Sequence, residues 1–248
     1  ISGEEIRNDI LANLPAGFPV KDVKEVYFYG AGVSELEYGF MQDVLKSVFV
    51  AAETVFVAMD LLGAARALLG QESGFAAILG TGCNTCLYNG EEVTLNIDSL
   101  GFILGDEGSG GYIGKTLLRD YMRGNMPPEV FAEVKPLVGK SVDEIIEQVY
   151  QKPKANRYCA QFCKWVGDHR HSHPYYHDLM LGAFRDFFRN IVSLYPDYRK
   201  YKFNCVGSVA FHYSDLLGQT AEEFGMKMGD IIKAPIDGLI EFHKPQAR

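Results

Sequence analysis

The chain has 248 residues, of which 47% are apolar and 23% charged, and its net charge is -8. That length can bury the core of one large or two modest domains, and the composition is that of a folded protein rather than a disordered one. The acidic balance leaves no basic stripe for nucleic acid, and no apolar run reaches the roughly 20 residues that cross a bilayer.

The chain opens on Ile1-Ser2-Gly3-Glu4-Glu5, without a Met and without the basic end and apolar middle of a signal peptide. It is therefore expected to begin inside a longer protein. Ser2 with Glu5 three residues on is a capping box, and Ile6, Ile10, Leu11 and Leu14 follow at helical spacing. Glu25 to Tyr29 reads as a strand ending at Gly30-Ala31-Gly32. Thr54 to Ala58 is a second strand ending at Asp60, followed by a helix from Leu61 to Leu69 closed by Gly70. Phe75 to Leu79 is a buried-type strand running into Gly80-Thr81-Gly82. Cys86 to Tyr88 and Val93 to Leu95, joined at Asn89-Gly90, predict a hairpin with a type I′ turn. After the glycine-rich loop from Gly101 to Gly111 the chain reads as helical, with Ser141 and Glu144 capping one helix and Pro174 to Tyr195 forming a long one. Lys202 to Val206 is a strand broken by Gly207-Ser208; helices near Leu216 to Phe224 and Ile236 to His243 complete the series. Strand, loop and helix in that rhythm predict an α/β fold.

Three features sit where a strand gives out into a loop, which is where ligand sites gather in α/β folds. The Gly80-Thr81-Gly82 turn can offer backbone N–H groups to an anion with no Cβ in the way, or can be only a tight turn. The loop Gly101-Phe102-Ile103-Leu104-Gly105-Asp106-Glu107-Gly108-Ser109-Gly110-Gly111 surrounds an acidic pair with glycines and opens a helix. Asp106 can accept hydrogen bonds from sugar hydroxyls, and Glu107 is placed to orient the loop or assist with a metal. A solvated turn fits this loop poorly, because Phe102, Ile103 and Leu104 are embedded in it. Asp60 is an N-cap or a general base facing a cleft, and the two roles are compatible.

Met59-Asp60, then Ile78 to Asn84, then Leu104 to Ser109, then Val206-Gly207-Ser208-Val209-Ala210 resemble, in that order, the N-acetylglucosamine kinase family. This is the group of BadF/BadG-type ATPases within the actin-like superfamily, and Gly105-Asp106-Glu107-Gly108-Ser109 is the most specific stretch. The resemblance implies two actin-like (ribonuclease H-like) domains flanking a nucleotide and sugar cleft: residues 1–70 with a returning helix at 229–248, and residues 71–228 with a helical insertion. It implies Asp60 as the base, Thr81, Asp106 and Gly110 as sugar contacts, Gly80, Thr81 and Gly82 as a phosphate loop, and Gly207 and Ser208 beneath the adenosine. ATP, Mg²⁺ and an amino sugar are the implied small molecules, the compartment is the cytoplasm, and a homodimer is open to it. The family's first phosphate loop is absent and is expected upstream of Ile1. Two rival functions are an ATPase that activates a dehydratase, and a catalytically silent amino-sugar sensor.

The remaining polar clusters read as structural. Cys83 and Cys86 have redox or metal spacing but no activating helix N-terminus and no second pair. Cys159 and Cys163 read as core, as do Tyr175, Tyr176, Phe184, Phe187 and Phe188. His169, His171, His173 and His177 read as a solvated loop between helices.

Overall fold

The computed structural model describes residues 2–244. They group into two compact units that divide between Gly63 and Ala64.

The first unit is built from α1 (Gly3–Asn13), β1 (Glu25–Gly30), α2 (Tyr38–Val48) and β2 (Thr54–Met59), and includes the start of α3 (Asp60–Leu69). Ser2 caps α1: its Oγ accepts the Glu5 N–H at 3.2 Å, and its own N–H donates to Glu5 Oε2 at 2.7 Å. β1 and β2 pair in parallel from Glu25 opposite Thr54 to Gly30 opposite Met59. Met41, Leu45, Val48, Phe49 and Val57 form the core, with Ile6, Ile10 and Leu14 of α1 packed on it. Helix α2 had no counterpart in the sequence reading. Its signal was present, with a capping box at Ser34 and Glu37 and buried positions at Met41, Val44, Leu45 and Val48.

The second unit begins with β3 (Gly74–Leu79), β4 (Cys83–Tyr88) and β5 (Val93–Leu95). Next come α4 (Gly101–Leu104), α5 (Gly110–Arg123), α6 (Pro128–Val138), α7 (Val142–Tyr150), α8 (Ala155–Asp168) and α9 (Pro174–Asn190). It closes with β6 (Lys202–Val206), α10 (Ser208–His212), α11 (Ser214–Glu223), β7 (Lys227–Ile232) and α12 (Ile236–His243). Among the described residues the strands form one sheet in the order β5-β4-β3-β6-β7. β3, β4 and β5 run antiparallel, while β6 and β7 join parallel to β3. The helical stretch α4–α9 therefore lies between the hairpin strands and the parallel ones. Phe75, Phe203, Phe187 and Phe188 are fully buried where sheet and helices meet. Each contributes about 1.5–3 kcal/mol by leaving water. Gly114 lets α5 approach α8 closely, since a Cβ there would lie 1.8 Å from the Cys159 carbonyl oxygen.

Three expectations are corrected. The hairpin between β4 and β5 is not a two-residue type I′ turn: Tyr88 pairs with Val93. Asn89 instead folds its side chain onto the loop, its Oδ1 accepting the N–H groups of Glu91 at 2.9 Å and Glu92 at 2.8 Å. The long aromatic helix ends at Asn190, short of Tyr195, because Ile191 leaves helical geometry (φ -126°, ψ -63°). Strand β7 was not anticipated, since Gly229 and Asp230 interrupt its apolar pattern. Asn204 explains it: its side chain accepts the Asp230 N–H at 2.9 Å and donates to the Phe75 carbonyl at 3.0 Å. A polar side chain thus stitches β7 to β6 and β3 at a register shift between Phe203 and Cys205.

Candidate functional site

The Gly80-Thr81-Gly82 segment is the turn of the β3–β4 hairpin. Leu79 pairs with Cys83, and the Gly80 N–H reaches the Gly82 carbonyl at 2.9 Å. The tight-turn geometry is therefore real. The carbonyls of Gly80 and Thr81 accept the N–H groups of Gly110 at 2.8 Å and Gly111 at 2.9 Å. Ser109 Oγ takes the Tyr112 N–H at 3.2 Å. The first donors of α5, the groups that usually attract an anion, are thus already satisfied. The N–H groups of Thr81 and Gly82 have no acceptor among the described residues. The anion-receptive donors at this junction therefore belong to the turn, which α5 holds in place.

Asp106 is brought against the same turn. Its carboxylate is buried, at 7% exposure, and Oδ1 accepts the Cys83 N–H at 3.2 Å. A Cβ on Gly82 would lie 3.0 Å from Asp106 Oδ2, so the glycine makes room for the carboxylate. Burial raises the Asp106 pKa, opposed by hydrogen bonds from Cys83 and Ser99 and by the charge of Lys115. Asp106 itself is left-handed, with φ of +59°. Glu107 orients the loop, accepting Asn190 Nδ2 at 3.0 Å. Phe102 packs on the core, but Ile103 and Leu104 are 84% and 76% exposed, contrary to the expectation that they embed the loop. The segment folds as the short helix α4, whose outer face points away from the core.

A cavity of about 470 Å³ opens at this junction, lined by Gly80, Thr81, Gly110 and Ser208. Gly110 has no spare room, since its Cβ would sit 3.3 Å from the Gly80 carbonyl oxygen. Gly207, with φ of +136°, presses the end of β6 onto β3, where a Cβ would meet the Leu79 carbonyl oxygen at 2.1 Å. Ser208 then begins α10. Gly82 abuts the Asp106 carboxylate behind the turn rather than lining the cavity.

Sequence reasoning missed the rest of the lining, which includes Lys164, Asp168, Arg170, His212 and Tyr213. Lys164 and Asp168 form an i,i+4 ion pair at 2.5 Å on α8. Arg170 donates to the Gly167 carbonyl at 2.9 Å and lies 5.6 Å from the Tyr213 ring centroid. No motif marked these residues: α8 read as core helix and α10 had not been anticipated.

Asp60 belongs to the first unit, at the start of α3 directly after β2. It is half-buried, and burial raises its pKa against the N–H groups of Leu61 and of Asp60 itself. Burial thus favours the protonated carboxyl, while the helix N–H groups favour the carboxylate.

The structural readings of the other clusters hold with one adjustment. All five cysteines are free and buried, and burial pushes the thiols of Cys86 and Cys163 up to about 12. His169 stacks on Trp165 at 3.8 Å, and His173 Nδ1 accepts the Tyr175 N–H at 3.0 Å to cap α9. The histidine loop is therefore more ordered than a solvated turn. Among the described residues, no group of three or more His, Cys, Asp or Glu side chains is placed to hold a metal ion. No helix among them is long and apolar enough to cross a membrane.

No family model matches the chain, and no curated protein matches it at a significant level. Solved structures do. The "putative N-acetylglucosamine kinase" of Porphyromonas gingivalis superposes with a TM-score of 0.93 at 36% identity, covering 98% of this chain and 86% of that one. The "putative N-acetylglucosamine kinase" of Chromobacterium violaceum gives 0.64 at 17% identity, covering 88% of this chain and 75% of that one, a likeness of fold alone. With 36% identity over nearly its whole length, the chain belongs to the N-acetylglucosamine kinase family.

Proposed function

We propose that the protein transfers the γ-phosphoryl group of ATP to a hydroxyl of an amino sugar, with O6 of N-acetylglucosamine as the favoured acceptor. One observation carries this reading. A turn with free backbone donors and a buried carboxylate share the end of one hairpin, beside a cavity of about 470 Å³. Such a junction can set an anionic phosphoryl group next to a hydroxylated acceptor, and phosphoryl transfer asks mainly for positioning and charge stabilisation.

In this reading the Thr81 N–H donates to the phosphate oxygens, Gly82 completes the phosphate loop, and Gly80 leaves the backbone open to them. Asp106 accepts from sugar hydroxyls, and the Gly110 backbone faces the ring. Gly207 and Ser208 form the floor beneath the adenosine. Asp60 takes the proton of the attacking hydroxyl as the new O–P bond forms. The bond from the γ-phosphorus to its bridging oxygen breaks, leaving ADP and a sugar 6-phosphate. The described residues offer no cluster that would cage Mg²⁺. None is needed for an ion that arrives on the nucleotide, because Mg²⁺ commonly binds through phosphates and its own waters. When bound it neutralises charge on the phosphate oxygens.

The proposal includes two actin-like domains, residues 1–70 with 229–248 and residues 71–228. The sheet order β5-β4-β3-β6-β7, with α4–α9 set between β5 and β6, supports the second as a domain with a helical insertion. Buried free cysteines support a cytoplasmic location and count against an iron–sulfur ATPase activator.

The test follows ADP release by the full-length protein with Mg-ATP over a panel of amino sugars. Release that depends on N-acetylglucosamine supports the kinase. Release without sugar points to an activator ATPase, and sugar binding without release points to a sensor; either sinks the proposal.

A further inference from the structure

Of the apolar side chains of helix α4, next to Asp106 in the chain, Phe102 packs on the core. Ile103 and Leu104 face solvent, at 84% and 76% exposure. The chain enters it through left-handed Leu100 (φ +59°) and Gly101 (+67°), and Asp106, two residues past its end, is left-handed as well (+59°). Non-glycine residues hold such conformations only when their surroundings over-determine them. Within the loop, the Asp106 N–H reaches the Ser99 carbonyl at 2.9 Å, and the Gly105 N–H reaches Gly101 at 2.8 Å. Its acidic end is tied to the body of the protein by the Cys83 N–H on Asp106 Oδ1 at 3.2 Å and by Asn190 Nδ2 on Glu107 at 3.0 Å. Neither of these bonds reaches α4 itself.

Lys115 adds a polar tie to α4. It extends from α5, and its Nζ donates to the Phe102 carbonyl at 2.6 Å. The same ammonium lies 4.9 Å from the centroid of the Phe102 ring and 5.6 Å from that of Tyr112. It therefore grips α4 by both a backbone acceptor and an aromatic face. The Phe102 ring in turn lies over Gly111, where a Cβ would be 3.4 Å from it. Burial lowers the Lys115 pKa, while the negative charges of Asp106 and Glu107 favour its ammonium form. A lysine with this much of its stem and head withdrawn from water is not a solvated surface group.

We propose that Lys115 is a positioning residue for the sugar subsite: it latches α4 through Phe102 and so holds Asp106 in the conformation that receives sugar hydroxyls. The inference rests on the assignment of Asp106 to the sugar. Lys115 acts through the loop and contacts neither substrate.

The experiment compares wild type, Lys115→Met, Lys115→Arg and Phe102→Leu in the full-length protein. It reads KM for N-acetylglucosamine, KM for ATP, kcat and the melting temperature. Lys115→Met keeps the apolar stem and loses a hydrogen bond from a charged donor, so the sugar KM rises about tenfold. The ATP KM stays within about twofold, because the Gly80–Gly82 turn is held separately by α5. Lys115→Arg, which keeps a cation over the ring, recovers most of the sugar affinity. Phe102→Leu, which keeps the ammonium but removes its aromatic partner, raises the sugar KM about threefold. An unchanged sugar KM in Lys115→Met and Phe102→Leu overturns the proposal. So does a rise shared equally by sugar and ATP, or one tracking a loss of thermal stability, since either marks a merely structural lysine. Should Lys115→Met not fold, the Phe102→Leu comparison decides by the same criteria. A wild-type protein that shows no dependence on amino sugar refutes the kinase assignment instead, which separates the two failures.

Discussion

Two glycines of one turn separate the roles assigned to it. Gly82 and Gly80 are two residues apart, yet an added methyl group meets different surroundings at each. At Gly82 the new Cβ lies 3.0 Å and 3.2 Å from the two oxygens of Asp106. The carboxylate must give by a few tenths of an ångström, and its 3.2 Å bond from the Cys83 N–H has little tolerance for that. At Gly80 nothing lies within 4 Å of the new Cβ. Neither glycine has a positive φ, so alanine brings no backbone strain at either position. It also restricts the unfolded chain, which stabilises by about 0.4–1 kcal/mol.

Gly82→Ala is therefore expected to lose about 1 kcal/mol net, since overpacking costs about 1–3 kcal/mol. That lowers Tm by about 2–4 °C for a domain of this size. Gly80→Ala should leave Tm unchanged or slightly raised. Ligand binding should divide the other way. Gly82→Ala displaces the sugar carboxylate and weakens N-acetylglucosamine binding about tenfold, the equivalent of one charge-assisted hydrogen bond. Gly80→Ala puts a methyl group where phosphate would approach the backbone and weakens ATP binding instead. Thermal melts and calorimetric titration with each ligand measure both effects. Wild-type sugar affinity in Gly82→Ala would refute the link between this turn, Asp106 and the sugar.

Three further outcomes follow from the same geometry. Asp60→Asn should lower kcat by about 10²–10⁴ with sugar affinity nearly intact, as expected for loss of a general base; steady-state kinetics with retained turnover would remove Asp60 from that role. Asp106→Asn should raise Tm at neutral pH while abolishing sugar binding. Burial raises the Asp106 pKa above its unfolded value, so the ionised form costs stability at neutral pH, and that cost fades as pH falls through the folded pKa toward the unfolded one. Melts of wild type and variant should thus converge on acidification, and a wild type more stable than Asp106→Asn at pH 7 would contradict the burial argument. Gly207→Ala should lose about 3 kcal/mol or more, because its φ of +136° is strained for any side chain and its Cβ would sit 2.1 Å from the Leu79 carbonyl oxygen; a melt within 2 °C of wild type would show that β6 and β3 can part there.

The legible parts of the fold were those written locally. Ser2 with Glu5 and Ser141 with Glu144 fix helix starts within three residues, and both capping boxes form. The glycine motifs after β3 and β6 and around Asp106 could be found for the same reason, since each answers to a turn or close approach inside its own segment. What escaped depended on partners far along the chain. Gly229 and Asp230 look like a break until Asn204 is in place to bond Asp230 and to fill the space a Cβ at Gly229 would need, 2.1 Å from Asn204 Oδ1. The Lys164 and Asp168 part of the cavity lining escaped similarly: on α8 they look like an ordinary exposed i,i+4 pair, and only the fold brings them to the same cavity as Thr81 and Ser208. Ile103 and Leu104 failed in the opposite sense. Their apolarity suggested burial, but a four-residue helix flanked by left-handed residues leaves them outside, and the anchoring passes to the Phe102 carbonyl and Lys115. An acidic glycine loop of this kind is thus recognisable by its motif, while its ties to Cys83, Asn190 and Lys115 lie in residues that the motif does not contain.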